Sequence, residues 1–134
     1  MIGYLVGSIA GRIAVALCAV TILLPYVLRR GRVSRGLARA PATYVQRLWP
    51  HFWLGYGIVA LSILHAGTVG GMGRANRGGI WAATVALFLL VFEVVVGLSL
   101  KEELLSSRQA WRRAHFWVMA VIVASLGLHL LWNG

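Results

Sequence analysis

Four long apolar segments constrain this chain more than any other feature. They cover about residues 4–28, 49–69, 80–100 and 114–132 of a 134-residue sequence. Each is close to the roughly 20 residues that an α-helix needs to cross the hydrocarbon core of a bilayer. We therefore expect an all-α fold, with residues 1–134 forming a single integral membrane four-helix bundle.

The composition excludes several other classes of protein. Hydrophobic residues make up 60% of the chain and charged residues only 12%, whereas about a quarter of the residues in a soluble domain are charged. The apolar runs argue against a disordered or nucleic-acid-binding tail, so no nucleic-acid partner is expected. The sequence also contains no P-loop or Gly-rich dinucleotide fingerprint.

The basic residues predict an orientation in the membrane. The net charge is +10, and the connections after the first and third segments hold ten Lys and Arg, against two after the second. Because such residues accumulate on cytoplasmic loops, both termini are expected outside. We expect a prokaryotic cytoplasmic membrane, with the first segment retained as a span because it lacks the basic start of a signal peptide.

All four histidines lie in the second and fourth segments, and in each they are 14 residues apart: His51 and His65, then His115 and His129. In a helix this spacing rises about 21 Å and ends about 40° short of four whole turns, so both imidazoles share a face at two depths. The two helices run parallel because one segment separates them. His51 should therefore lie level with His115, and His65 level with His129.

A repeat relates the same two segments. The fifteen residues from His51 to His65 align without gaps on those from His115 to His129, and eight positions are identical, including the H-F-W start. This repeat predicts two related helical hairpins around a pseudo-symmetric centre.

Two facing imidazoles at each of two depths are what two six-coordinate haems require. The single cysteine and the lack of a C-x-x-C-H segment favour b-type haem, which needs no covalent link. We predict two haem b groups, one bound through iron by His51 and His115 and the other by His65 and His129. The alternatives are histidines that bond neighbouring helices, bind a bare metal ion or line a proton pathway.

Parallel membrane helices that each carry H-x13-H resemble the di-haem core of the cytochrome b family, and equally the ferric-reductase-like transmembrane domain. The resemblance covers the second and fourth segments and is specific at the four histidines. It implies that these four residues are axial haem ligands.

Other charged residues are candidates for supporting roles. Arg12 lies in the middle of the first span, near the outer haem level, where a haem propionate or snorkelling to the outer surface would satisfy its charge. Arg47, Arg112 and Arg113 are candidates for the propionates of the inner haem. Glu93 is the only acid in a span, and it either accepts a proton at a quinone pocket or bonds a neighbouring helix.

These features predict transmembrane electron transfer by a cytochrome b subunit of a larger oxidoreductase complex. Other redox subunits or a membrane quinone would supply and accept the electrons, and no catalytic residue is predicted. One alternative is a self-sufficient, quinol-dependent reductase of an external acceptor. The other is a haem-free transporter of metal ions or protons.

Overall fold

A computed structural model describes residues 2–30, 48–69, 76–101 and 107–133 of the chain. They form four α-helices: α1 (Ile2–Arg30), α2 (Trp49–Val69), α3 (Arg77–Lys101) and α4 (Arg108–Asn133). Each helix is long and apolar enough to cross a membrane. No strand occurs in these four ranges, so the predicted all-α four-helix fold is confirmed.

The apolar pattern predicted α2 well, but it placed the starts of α3 and α4 too late. Asn76 caps α3, since its side-chain oxygen accepts a hydrogen bond from the Gly78 N–H at 2.8 Å. The backbone oxygen of Ser107 accepts one from the Trp111 N–H at 3.1 Å at the start of α4. The apolar residues indicate only the part of each helix that suits the hydrocarbon core. The helix itself can begin earlier, in polar sequence, where other groups bond its first N–H groups.

The helices form two hairpins, with α1 packed along α2 and α3 packed along α4, and a smaller contact joins α2 to α3. Glycines allow the close approach of α1 to α2. A Cβ atom added at Gly11 would lie 2.7 Å from Nδ1 of His65, and one added at Gly7 would lie 2.6 Å from Cγ2 of Val69. Small residues of this kind let membrane helices pack backbone to backbone.

A buried apolar cluster lies at the centre of the bundle and takes one residue from each helix, namely Cys18, Ile58, Leu90 and Ile122. Ile58 lies midway between the two histidines of α2 in sequence, and Ile122 lies midway between those of α4. Since seven residues make almost two helical turns, each isoleucine shares the face of its flanking histidines. An apolar layer therefore separates the two levels of imidazoles.

The similarity between the two hairpins also includes α1 and α3, which lie outside the fifteen-residue sequence repeat. The buried residues of these two helices follow the same spacing, and the matching pairs are Ala14 and Ala86, Cys18 and Leu90, and Thr21 and Glu93. The two hairpins thus bury equivalent positions, but Glu93 carries a carboxyl group where α1 has a threonine.

Candidate functional site

The four histidines meet in two pairs, matching the levels that their spacing predicts. The ring centroids of His51 and His115 are 6.3 Å apart with an interplanar angle of 71°. Those of His65 and His129 are 6.1 Å apart with an angle of 82°. All four side chains are partly buried, so each pair lies between α2 and α4 at its own depth.

Three of the four rings are held through Nδ1 by a backbone carbonyl of the preceding helix. The pairs are His51 with Thr21 at 3.2 Å, His65 with Gly7 at 2.9 Å, and His129 with Gly79 at 2.9 Å. A carbonyl oxygen only accepts, so these contacts place the proton on Nδ1 of His51 and His65. Nδ1 of His129 also lies 3.2 Å from the amide nitrogen of Asn133, and the shorter contact with Gly79 favours the same tautomer. This leaves Nε2 of each ring with a lone pair for a ligand.

His115 has a different partner, because its Nδ1 contacts the carboxylate oxygen Oε2 of Glu93 on α3. Glu93 is only 5% exposed, so this carboxyl group is well shielded from solvent. Neither carboxylate oxygen of Glu93, nor Nδ1 of His115, meets hydrogen-bond geometry with a partner among the described residues, so the two groups are in close contact without an aligned hydrogen bond. Glu93 thus contacts the neighbouring helix α4 through His115, and both roles predicted for it stay predictions.

The four acceptor positions repeat the spacing of the histidines. Gly7 and Thr21 are 14 residues apart on α1, and so are Gly79 and Glu93 on α3. Sequence reasoning did not single out Gly7, Thr21 or Gly79, because a backbone carbonyl has no side-chain signature. The only available signal was this shared spacing, which places one acceptor beside each imidazole.

The distance within each pair suits a single metal ion between two imidazoles. An imidazole nitrogen binds a first-row metal ion at about 2.0–2.1 Å and the ring centre lies about 1.1 Å behind it, so two opposed rings have centroids about 6.3 Å apart. In the four described ranges, no group of three or more His, Cys, Asp or Glu side chains is arranged so that it could hold a metal ion.

The predicted arginines lie around these pairs. Arg12 has an exposed side chain and follows Gly11, the residue that lies against His65, so it is at the level of the His65–His129 pair. Arg112 and Arg113 are exposed on α4, within one turn of His115. Arg47 lies outside the described residues. Their pairing with haem propionates stays a prediction.

In comparisons with protein-family models, curated proteins and solved structures, nothing matches this chain significantly. The fold and the site nevertheless define a class of protein. Four apolar helices of membrane-spanning length indicate an integral membrane protein. Within it, two pairs of facing imidazoles lie at two depths, separated by an apolar layer.

Proposed function

We propose that the protein is a di-haem b-type cytochrome that carries electrons across a membrane. The observation that carries this proposal is the separation of 6.3 and 6.1 Å between paired imidazoles. Anchored rings at this distance would be able to bind one iron between them, and the arrangement occurs twice along the bundle.

The four histidine side chains are suitable ligands for haem iron. His51 with His115 would hold one haem, and His65 with His129 the other. Hydrogen bonds from Nδ1 fix the orientation of a ligating imidazole and raise its basicity. Haem bound by these residues would supply a reversible one-electron iron couple, and with two histidines bound to it the iron would be suited to electron transfer rather than to binding oxygen or substrate.

The positions of the two pairs suit passage of charge through the bilayer. Fourteen helical residues separate the levels by about 21 Å, which is most of the roughly 30 Å hydrocarbon core. Ile58 and Ile122 fill the centre between them and keep water out. Electrons would therefore cross the membrane by one transfer between two haem sites, each near one membrane surface.

The electron donor and acceptor are proposed to be other redox subunits or a membrane quinone. The helices that carry the histidines bury less of their apolar stretch than α1 and α3 do, which leaves surface for macrocycles and subunits. Arg12 is proposed to pair with an outer propionate, and Arg47, Arg112 and Arg113 with inner ones. We place the protein in a prokaryotic cytoplasmic membrane with both termini outside.

A second candidate is a self-sufficient reductase that oxidises quinol and passes the electrons to an external acceptor. The unpartnered Oε1 of Glu93 favours it, since a buried carboxylate oxygen close to His115 could accept the hydrogen bond of a quinol hydroxyl. Oxidation of quinol by the purified chain without other subunits would distinguish this reductase from a subunit of a complex.

Electron transfer across sealed vesicles tests the proposal. We expect the haem-loaded protein to reduce ferricyanide trapped inside when a membrane-impermeant reductant is added outside. The His51→Leu variant is the matched control, because it should keep one haem and lose this activity. Trapped ferricyanide that is reduced no faster than in empty vesicles, with both haems bound, would contradict the proposal. A chain without haem that takes up metal ions or protons would establish the transporter instead.

A further inference from the structure

We infer that Glu93 lowers the reduction potential of the haem at the His51–His115 pair below that of the haem at the His65–His129 pair, and so sets the direction of electron transfer. This inference rests on the proposed function. It concerns a positioning residue, since Glu93 would act through His115 and not on the iron itself.

The first observation is that the pseudo-symmetry of the two hairpins is broken at one acceptor. Thr21 and Glu93 occupy equivalent buried positions, on α1 and α3. The Thr21 hydroxyl donates to the carbonyl of Leu17 at 2.8 Å, and it is the backbone oxygen of Thr21 that holds His51. At the equivalent position on α3, a carboxylate oxygen of Glu93 contacts Nδ1 of His115. Three imidazoles thus have neutral acceptors and one has an acidic acceptor.

The second observation is that this acceptor is shielded. Glu93 is 5% exposed, and the interaction between charges grows as the local dielectric constant falls. A carboxylate that accepts the Nδ1 proton strengthens the imidazole as an electron donor to the metal. Both effects favour ferric over ferrous iron, so the haem at His51 and His115 should have the lower potential.

The other haem is much less affected by Glu93. The His65–His129 pair lies about 21 Å further along the bundle, and charge interactions weaken with distance. Both of its rings are held by backbone carbonyls, of Gly7 and Gly79. The two potentials should therefore separate in a definite order.

This order makes the Glu93 end of the bundle the entry for electrons. With haem bound at both pairs, one electron would pass downhill from the His51–His115 pair to the His65–His129 pair, with no bond formed or broken and no proton moved. A donor would accordingly act at the end where α3 and α4 hold Glu93 and His115, and an acceptor at the opposite end.

Redox titration of the holoprotein, with the visible spectrum as the readout, tests the inference. Glu93→Gln keeps the size of the side chain and an acceptor oxygen but removes the charge. We expect one haem potential to rise enough to change the electron-sharing equilibrium about tenfold, or about 59 mV for one electron, while the other stays in place. Thr84→Val is the control on the same helix, because the Thr84 hydroxyl donates to the Ile80 carbonyl of α3 at 2.9 Å, and it should shift neither potential.

Single-haem variants keep the test decisive if Glu93→Gln fails to assemble. His65→Leu should leave the haem beside Glu93, and His51→Leu should leave the other haem. The haem that remains in His65→Leu should have a lower reduction potential than the haem that remains in His51→Leu. The reverse order, or equal potentials, would overturn the inference. An unchanged pair of potentials in Glu93→Gln would overturn it too, with the proposed function intact. Protein that binds no haem under any condition would instead refute the proposed function.

Discussion

Replacing any one of the four histidines with leucine is expected to reduce the haem content from two per chain to one. His51→Leu and His115→Leu should remove the same haem, because their rings face each other at 6.3 Å. His65→Leu and His129→Leu should remove the other. A haem with one remaining imidazole loses the bis-histidine ligation that the site provides. Haem quantification and the reduced visible spectrum of each purified variant measure the effect.

Double variants and a surface control sharpen this prediction. A chain that lacks both His51 and His115 should still bind one haem, whereas a chain that lacks both His51 and His65 should bind none. Phe116→Leu is a suitable control, since Phe116 adjoins His115 but is 66% exposed, and it should retain both haems. The pairing is wrong if His51→Leu and His65→Leu abolish the same spectral component.

Gly11→Val is expected to remove or greatly weaken the haem at the His65–His129 pair while leaving the other haem bound. Even a Cβ atom at Gly11 would lie 2.7 Å from Nδ1 and 2.9 Å from Cε1 of His65, so the ring must move. Overpacking of this kind typically costs about 1–3 kcal/mol of stability. It would also pull His65 away from the Gly7 carbonyl that orients it. Haem titration of the purified variant, followed in the visible spectrum, measures the loss.

Gly3→Val is the matched control on the same helix, because nothing lies within 4 Å of a Cβ atom added there. It should bind both haems with the affinity of the unaltered chain. Equal losses in the two variants would mean that glycine matters for the helix in general and not for the position of His65. Two normally bound haems in Gly11→Val would contradict the described packing of α1 against His65.

The histidine pairs could be predicted because helical geometry alone relates residues 14 apart to one face and two depths. The length of the apolar segments likewise predicted four helices, and the bounds of α2 agree with the apolar segment over 49–69. The early start of α4 at Arg108 agrees with a cap at Ser106 or Ser107, which the sequence allows. The start of α3 could not be predicted from its apolar segment, because Asn76 caps it through a local hydrogen bond.

The surroundings of the imidazoles could not be predicted in the same way. Gly7, Thr21 and Gly79 act through backbone oxygens, so their side-chain chemistry gives no sign of the role. For Glu93 the sequence left two roles open, and only the arrangement of α3 against α4 brings its carboxylate to His115. The sequence predicted two related hairpins, and the burial of equivalent positions on α1 and α3 adds the detail that Thr21 corresponds to Glu93.

The most direct test of the proposed function is the haem content of the chain purified from membranes of haem-sufficient cells. We expect two haems per chain, and they should be extractable without breaking a covalent bond. Their spectrum should be that of low-spin iron bound by two imidazoles. A chain that is folded and contains no haem, or one whose iron lacks histidine ligands, would contradict it.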